Sequence, residues 1–266
     1  MDLQLAGKIA VVTGGTRGIG KAITRALAGE GVDVAIIGRD LEAAKATAVE
    51  IAGETGRTVR AYSADTGKDD VVRTAVAAIV KDFGRIDILV NCAGVPGGQS
   101  LPPKLGEVTD EIFWSDVNVK VMGYLRMARE VAPLMAEQGW GRIINISGLN
   151  ARQTGSIVGS IRNVGVAALT KNLADELGPK GINVTCVHPG LTRTEKTPGL
   201  IAWRADLQNM TIEDAEKVMN DLNTIRRLIT AEEIGHIVAF LASPKSIAIN
   251  GDAIAAGGGA PGSIHY

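Results

Sequence analysis

Lys8-Ile9-Ala10-Val11-Val12-Thr13-Gly14-Gly15-Thr16-Arg17-Gly18-Ile19-Gly20 is the stretch on which the reading of the fold turns. Lys8–Thr13 is a short, β-branched apolar run that reads as a buried strand. It leads straight into a glycine-rich loop, and helical periodicity follows over Gly18–Gly31. Strand, glycine loop and helix in that order are the context a phosphate-binding turn requires. Glycines let the backbone turn tightly and approach a pyrophosphate, and the helix N-terminus offers free N–H groups with a partial positive charge. The loop therefore nominates Gly14, Thr16, Arg17, Gly18, Ile19 and Gly20 as nucleotide-binding residues. The plainer alternative is a glycine-rich turn with no ligand.

Outward from this stretch the same alternation repeats. Asp33–Gly38, Arg57–Ala64, Ile86–Asn91, Gly141–Ser147 and Ile182–His188 read as strands, with Asp252–Ala256 as a last short one. Leu41–Gly53, Asp69–Phe83, Asp110–Gln138, Gly155–Leu177, Glu213–Leu222 and Ala231–Ala242 read as helices. Repeated β-α units with short turns imply a parallel sheet covered on both faces, and right-handed crossovers make it a doubly wound α/β sheet. With no low-complexity linker and no repeat, residues 1–266 are expected to form a single domain, with a substrate lid around 192–225. The irregular Gly94–Gly106 and Thr192–Gly199 stretches fall at the carboxyl edge, where such sheets bind ligands.

Composition narrows the partners. The chain is 45% hydrophobic and 21% charged, as globular proteins are, and its net charge of −1 points to neither nucleic acid nor an anionic membrane. Aromatics make up 3%, so the core rests on Val, Ile, Leu and Ala, which suits buried parallel strands. Cys92 and Cys186 lie in apolar runs and read as inert buried thiols. A structural zinc site would need more ligands at closer spacing, so no metal is expected. Met1 to Lys8 is too short and polar for a secretory segment, and no apolar run approaches the roughly 20 residues a bilayer requires. A cytoplasmic protein acting on a small molecule is the expectation.

Beyond the glycine loop, Asn91-Cys92-Ala93-Gly94 follows the fourth strand, Asp65 the third, and Pro189-Gly190-Leu191-Thr192-Arg193-Thr194 the sixth. Asn118 lies in the long helix, and Gly257-Gly258-Gly259 near the end. Together with Thr-Gly-x-x-x-Gly-x-Gly at the first turn, these motifs resemble those of the short-chain dehydrogenase/reductase family over essentially the whole chain. The resemblance implies a Rossmann fold, a nicotinamide cofactor, and assembly as a homotetramer or homodimer. It assigns Asp65 to the adenine, Asn91, Ala93, Gly94, Pro189, Gly190 and Thr194 to the cofactor, and Asn118 to catalysis. In such tetramers C-terminal tails approach a neighbour, which would let His265 or Tyr266 enter another subunit's site.

The choice of cofactor follows from charge. An acidic residue ending the second strand would accept hydrogen bonds from a ribose 2′-hydroxyl and favour NAD(H). Here Gly38 is followed by Arg39, and Arg17 stands in the glycine loop. Guanidiniums complement a 2′-phosphate, which favours NADP(H) over NAD(H). Pairing of Arg39 with Asp40 is the competing account.

The resemblance fails at the chemistry. The family carries Ser, then Tyr-x-x-x-Lys, on the helix after the fifth strand. The register fixed by Ala168-Leu169-Thr170-Lys171-Asn172-Leu173-Ala174 puts Gly159 at the tyrosine and Asn163 at the lysine. Asn145-Ile146-Ser147-Gly148 leaves Gly148 in the serine slot with Ser147 beside it. General acid–base help worth roughly 10²–10⁴-fold is then missing. The reading is an NADP(H)-dependent reductase of an activated C=C, C=N or C=O substrate. Asn163 would hold the ribose, and Asn118, Ser147 or water would manage the proton. The rivals are a non-redox cofactor-binding scaffold or sensor, and a redox-neutral lyase or cyclase using the enlarged pocket.

Overall fold

Apolar residues without strict alternation make strands that must be covered on both sides, and the computed structural model, which describes residues 1–95 and 101–261, covers them so. In chain order the elements are β1 (Ile9–Thr13), α1 (Gly18–Gly29), β2 (Asp33–Gly38), α2 (Leu41–Thr55), β3 (Val59–Ser63), α3 (Asp69–Phe83) and β4 (Ile88–Asn91). Then come α4 (Asp110–Val117), α5 (Gly123–Gln138), β5 (Gly141–Ile146), α6 (Ile157–Leu177) and β6 (Ile182–Pro189). The chain continues through β7 (Thr192–Arg193), α7 (Thr197–Gln208), α8 (Ile212–Asn220), β8 (Ile229–Thr230), α9 (Ala231–Ala242) and β9 (Ala253–Ala256).

Among the described residues the main sheet has seven strands in the order β3-β2-β1-β4-β5-β6-β9. Every pairing in it is parallel. The winding direction reverses between β1 and β4, the position where doubly wound sheets open a ligand crevice. On one face Ile23 and Leu27 of α1 and Ile234 and Val238 of α9 pack with Val12, Val90 and Ile144. On the other, Val76 and Ile79 of α3, Met127 and Val131 of α5 and Leu177 of α6 pack with Val11, Leu89, Ile143 and Val184. The register aligns Thr13 with Asn91, Asn91 with Asn145, and Asn145 with Cys186. The carboxyl ends of the four central strands therefore present their side chains at one level, beneath the crevice.

The structure departs from the sequence expectation at two places that matter for the site. The long helix expected over Asp110–Gln138 is interrupted by a π turn at Asn118–Met122, between α4 and α5. Wider turns of this kind recur at functional sites. The stretch read as irregular from Thr192 contains α7, whose Pro198 sits in the first turn, where a missing N–H costs nothing. Helices α7 and α8 close on a small apolar cluster of Ile201, Ala205, Ala215, Met219 and Leu228. No described helix is long and apolar enough to cross a membrane.

Candidate active site

The turn between β1 and α1 is built by close backbone contact. A Cβ on Gly14, whose φ is +69°, would lie 3.0 Å from Ala93 Cα. One on Gly20 would lie 2.2 Å from the Gly14 carbonyl oxygen. Thr13 Oγ1 accepts from the Cys92 and Ala93 N–H groups at 3.0 and 3.1 Å, which ties the glycine loop to the Asn91-Cys92-Ala93-Gly94 turn. The α1 N-terminus faces an anion of the chain's own, because Gly18 N–H donates to Glu195 Oε2 at 3.2 Å. Thr194 lies beside the same glycine: a Gly18 Cβ would be 3.5 Å from its Cγ2. A carboxylate there competes with any phosphate for the same N–H and dipole. Glu195→Gln should tighten NADP(H) binding about two- to five-fold, the effect of ~0.3–1 kcal/mol at a helix terminus. A fluorescence titration of NADPH checks this.

Arg39 follows the end of β2 and precedes the cap of α2. Asp40 caps α2, accepting from the Ala43 N–H at 3.1 Å, and does not pair with Arg39. Arg17 and Arg39 are exposed, and among the described residues neither has an ion-pair partner. A Cβ on Gly38 would meet Thr16 Cγ2 at 2.9 Å, so glycine at the end of β2 also serves the packing of the loop. Asp65 folds its carboxylate onto the Gly67 N–H at 2.9 Å and shapes the turn after β3.

Beneath the crevice, buried polar side chains form a chain. Asn91 Nδ2 donates to Asn145 Oδ1 at 2.9 Å, Asn145 Nδ2 to Thr170 Oγ1 at 2.9 Å, and Thr170 Oγ1 to the Val166 carbonyl at 2.8 Å. This fixes α6 against the ends of β4 and β5. Two acceptors remain unmatched: Asn91 Oδ1 and Asn163 Oδ1 are buried and have no partner among the described residues. Buried acceptors of this kind are costly unless a ligand or water meets them.

Two of the three candidate catalytic side chains are engaged by partners within the chain. Asn118 donates from Nδ2 to the Gly67 carbonyl at 3.2 Å and accepts on Oδ1 from Arg126 at 2.8 Å. Both ends of its amide are used in fastening the π turn to the loop after β3. Ser147 donates from its hydroxyl to the Asn163 backbone carbonyl at 3.0 Å and is buried, which anchors α6. Asn163 is 3% exposed and lies beside Gly148, where a Cβ would be 3.0 Å from its Nδ2. A Cβ on Gly159 would meet Ser156 Oγ at 2.8 Å and Asn150 Nδ2 at 3.5 Å. Ser156 Oγ caps α6 through the Gly159 N–H at 3.0 Å. Tyr124 is 1% exposed and bonds the Ile146 carbonyl at 2.9 Å inside the core. Tyr62 bonds Asp82, on α3, at 2.7 Å. His188 is buried with Nδ1 3.7 Å from Cys186 Sγ. His265 and Tyr266 lie outside the described residues.

The side chain that sequence reading missed is Lys120. It lies within the π turn, is 7% exposed and donates from Nζ to the Ser147 carbonyl at 2.8 Å. Its stem runs under the cofactor turn, so that a Cβ on Gly94 would sit 3.4 Å from Lys120 Cδ. Nearby, Arg162 pairs with Asp116, joining α6 to α4. Burial pushes the Lys120 ammonium down to about 8; Arg162 adds to this, and Cys92, Asp116 and Cys186 oppose it. A signal was present in the sequence. Tyr124, Met127 and Val131 form a buried helical stripe, and Lys120 continues it at i−4 from Tyr124.

Comparison with known proteins agrees with this architecture. The family model described as enoyl-(acyl carrier protein) reductase matches residues 14–260. The short-chain reductase protein NovJ of Streptomyces niveus is 35% identical over 254 residues, 95% of this chain and 94% of that protein. The 3-oxoacyl-(acyl-carrier-protein) reductase FabG of Aquifex aeolicus is 32% identical over 262 residues, 97% of this chain and 99% of that protein. L-Sorbose reductase from Gluconobacter frateurii, solved with NADPH and L-sorbose, superposes with a TM-score of 0.93 at 26% identity, covering 99% of this chain and 100% of its own. By its motifs, its strand order and these relatives, the chain belongs to the short-chain dehydrogenase/reductase family of oxidoreductases.

Proposed function

We propose that this protein is an NADP(H)-dependent reductase of an activated C=C, C=N or C=O substrate, with the whole chain acting as one domain and residues 192–225 as its lid. The observation that carries the reading is an intact cofactor turn beside a slot emptied of its usual acid. Gly14 and Gly20 allow the close backbone packing that shapes the loop, while Gly148, Gly159 and Asn163 stand where the family has Ser, Tyr and Lys. The residues present fit a nicotinamide dinucleotide. Asn91 and Asn163 hold unmatched buried acceptors, suited to a carboxamide or to ribose hydroxyls. Arg17 and Arg39 offer unpaired guanidiniums to a 2′-phosphate.

When bound, the reduced nicotinamide supplies a hydride. The chain's own part is to orient and to exclude water. Asn163 accepts from a ribose hydroxyl without adding charge. Thr194, beside Gly18, positions the nicotinamide end. The α7–α8 hairpin covers the substrate. L-Sorbose reductase and the actinorhodin polyketide ketoreductase were solved with NADPH, and xylitol dehydrogenase with NAD+, so the relatives include users of both forms. The preference for NADP(H) here rests on Arg39. Arg39→Asp should lower the NADPH/NADH affinity ratio about 10- to 100-fold, the loss of a charge-assisted hydrogen bond worth ~1.5–3 kcal/mol. Paired binding titrations read that ratio directly, and an unchanged value would mean that Arg39 does not meet a 2′-phosphate.

Self-association belongs to the same reading. Trp114 on α4 and Ile157, Ile161 and Val164 on α6 are exposed, and α4 lies against α6. A second copy would cover this apolar face, and sedimentation should find a dimer or tetramer. The activity is tested by following NADPH oxidation with enones, cyclic imines and activated ketones, alongside an NADPH-binding titration. Turnover in any of the three classes supports the reductase. Tight binding with no turnover in all three would favour a cofactor-binding scaffold instead.

A further inference from the structure

A reductase must deliver a proton as well as a hydride, and the polar side chains near the crevice are largely engaged elsewhere. Asn118 is held by Gly67 and Arg126, Ser147 has donated its proton to Asn163, and Tyr124 has donated its own to Ile146. Burial pushes the thiols of Cys92 and Cys186 up to about 12. Lys120 remains. Its stem passes beneath Gly94 of the cofactor turn, and its Nζ reaches the Ser147 carbonyl, next to the vacated serine slot at Gly148. An ammonium has three donors, and Ser147 takes one. Among the described residues no carboxylate pairs with it, because the neighbouring Asp116 is taken by Arg162.

We propose that Lys120 is the proton donor of this enzyme, a catalytic residue that enters the site from the π turn and replaces the acid pair lost at Gly159 and Asn163. The proposal rests on the reductase reading. The substrate carbon accepts hydride from the reduced nicotinamide, which is thereby oxidised. The π electrons of the C=O or C=N bond move to the heteroatom, or those of a conjugated C=C bond to the α carbon. That atom takes a proton from Lys120 Nζ, the N–H bond breaks, and a neutral amine is left. Water returns the proton to the amine, so substrate gains one hydride and one proton overall. The groups facing Lys120 are Cys92 at the end of β4, Asp116 on α4, Arg162 on α6 and Cys186 on β6. Desolvation, with Arg162 adding its charge, outweighs the other three and brings the ammonium to about 8. An acid poised there can release and recover a proton near neutral pH.

The test uses the full chain with lysines labelled at 13Cε, observed by NMR with and without NADPH or NADP+. One lysine resonance should titrate near pH 8, move on cofactor binding, and be absent from Lys120→Met. On whichever substrate of the three classes is turned over, Lys120→Met should lose roughly 10²–10⁴-fold in kcat and the alkaline limb of the pH profile, while it still binds NADPH. If Lys120→Met does not fold, Lys120→Gln serves for the same comparison. A Lys120 resonance that titrates near 10.5, or that ignores the cofactor, overturns the proposal. So does a variant that keeps both kcat and the pH profile. Failure of the wild-type protein to bind NADPH would instead overturn the reductase reading beneath it.

Discussion

Gly20→Ala should abolish useful NADP(H) binding. The added methyl would lie 2.2 Å from the Gly14 carbonyl oxygen and 2.8 Å from its carbonyl carbon, and backbone atoms have no rotamer by which to escape. Gly14 is held where it is, since its N–H donates to the Ile37 carbonyl at 2.8 Å. Either the loop or the start of α1 must shift. The protein should lose about 1–3 kcal/mol of stability from overpacking. If the same strain must be overcome to bind the cofactor, affinity should fall roughly 5- to 150-fold. Gly29→Ala is the matched control. It makes the same change in the same helix, where nothing lies within 4 Å of the new methyl. It should gain up to about 1 kcal/mol from helix propensity and bind NADPH as before. Urea unfolding and NADPH fluorescence measure both quantities. Wild-type affinity in Gly20→Ala would show that this loop does not receive a pyrophosphate.

The parts of the molecule that were legible in the sequence are those governed by local physics. Asp69–Phe83 carries acidic residues in its first turn and ends at Gly84 in the left-handed region, and Ala231–Ala242 starts at a Thr230/Glu233 capping box; both helices have the expected boundaries. The buried strands stand where apolar runs place them, within two residues at either end. The cofactor turn was legible because glycine is demanded at fixed spacing by close backbone approach. The π turn was not. No proline marks it, and each residue of a helix advances the side-chain direction by about 100°, so a local change of winding re-aims every side chain beyond it. The family motif drew attention to Asn118, whereas the side chain buried beneath the crevice is that of Lys120. Helix α7 was hidden by Pro198 and Gly199 near its start, which read as loop residues until the first-turn position of the proline is known. The Arg162–Asp116 pair joins residues 46 apart in sequence and leaves no local signature at all.

That pair carries the second large expectation: Asp116→Ala should destabilise the protein by about 3 kcal/mol. Breaking a buried ion pair by removing one partner costs ~3–5 kcal/mol, because the other charge is left uncompensated. The Arg162 side chain is 8% exposed and its Nε already lacks a partner, whereas the Asp116 side chain at 19% keeps some contact with water, which sets the lower end of the range. Lys120 makes the loss worse, since two buried cations would then face each other without a carboxylate. Lys120→Met should therefore rescue part of it, and a double-mutant cycle would show the coupling. The pH dependence has a definite sign. The Lys120 ammonium sits at about 8 in the folded protein, below the ~10.4 of an unfolded lysine. Below pH 8 both states hold the proton and the full cost of the buried charge, on the order of 3 kcal/mol, is present. Between these two values the folded state has released a proton that the unfolded state still binds, so stability rises with pH. Cys92 and Cys186 act in the opposite sense. Their thiols are raised to about 12, and the unfolded state ionises first above ~8.5. The difference between wild type and Lys120→Met cancels the cysteines to first order and isolates the lysine. Urea unfolding at pH 6.5 should find Lys120→Met the more stable protein, and the advantage should shrink at pH 9.5. Without Asp116 to hold its proton, Lys120 titrates lower still, and the recovery in Asp116→Ala should begin at a lower pH than in wild type. Parallel curves for wild type and Lys120→Met would mean that the ammonium is solvated, and a solvated ammonium would not be the poised acid this site requires.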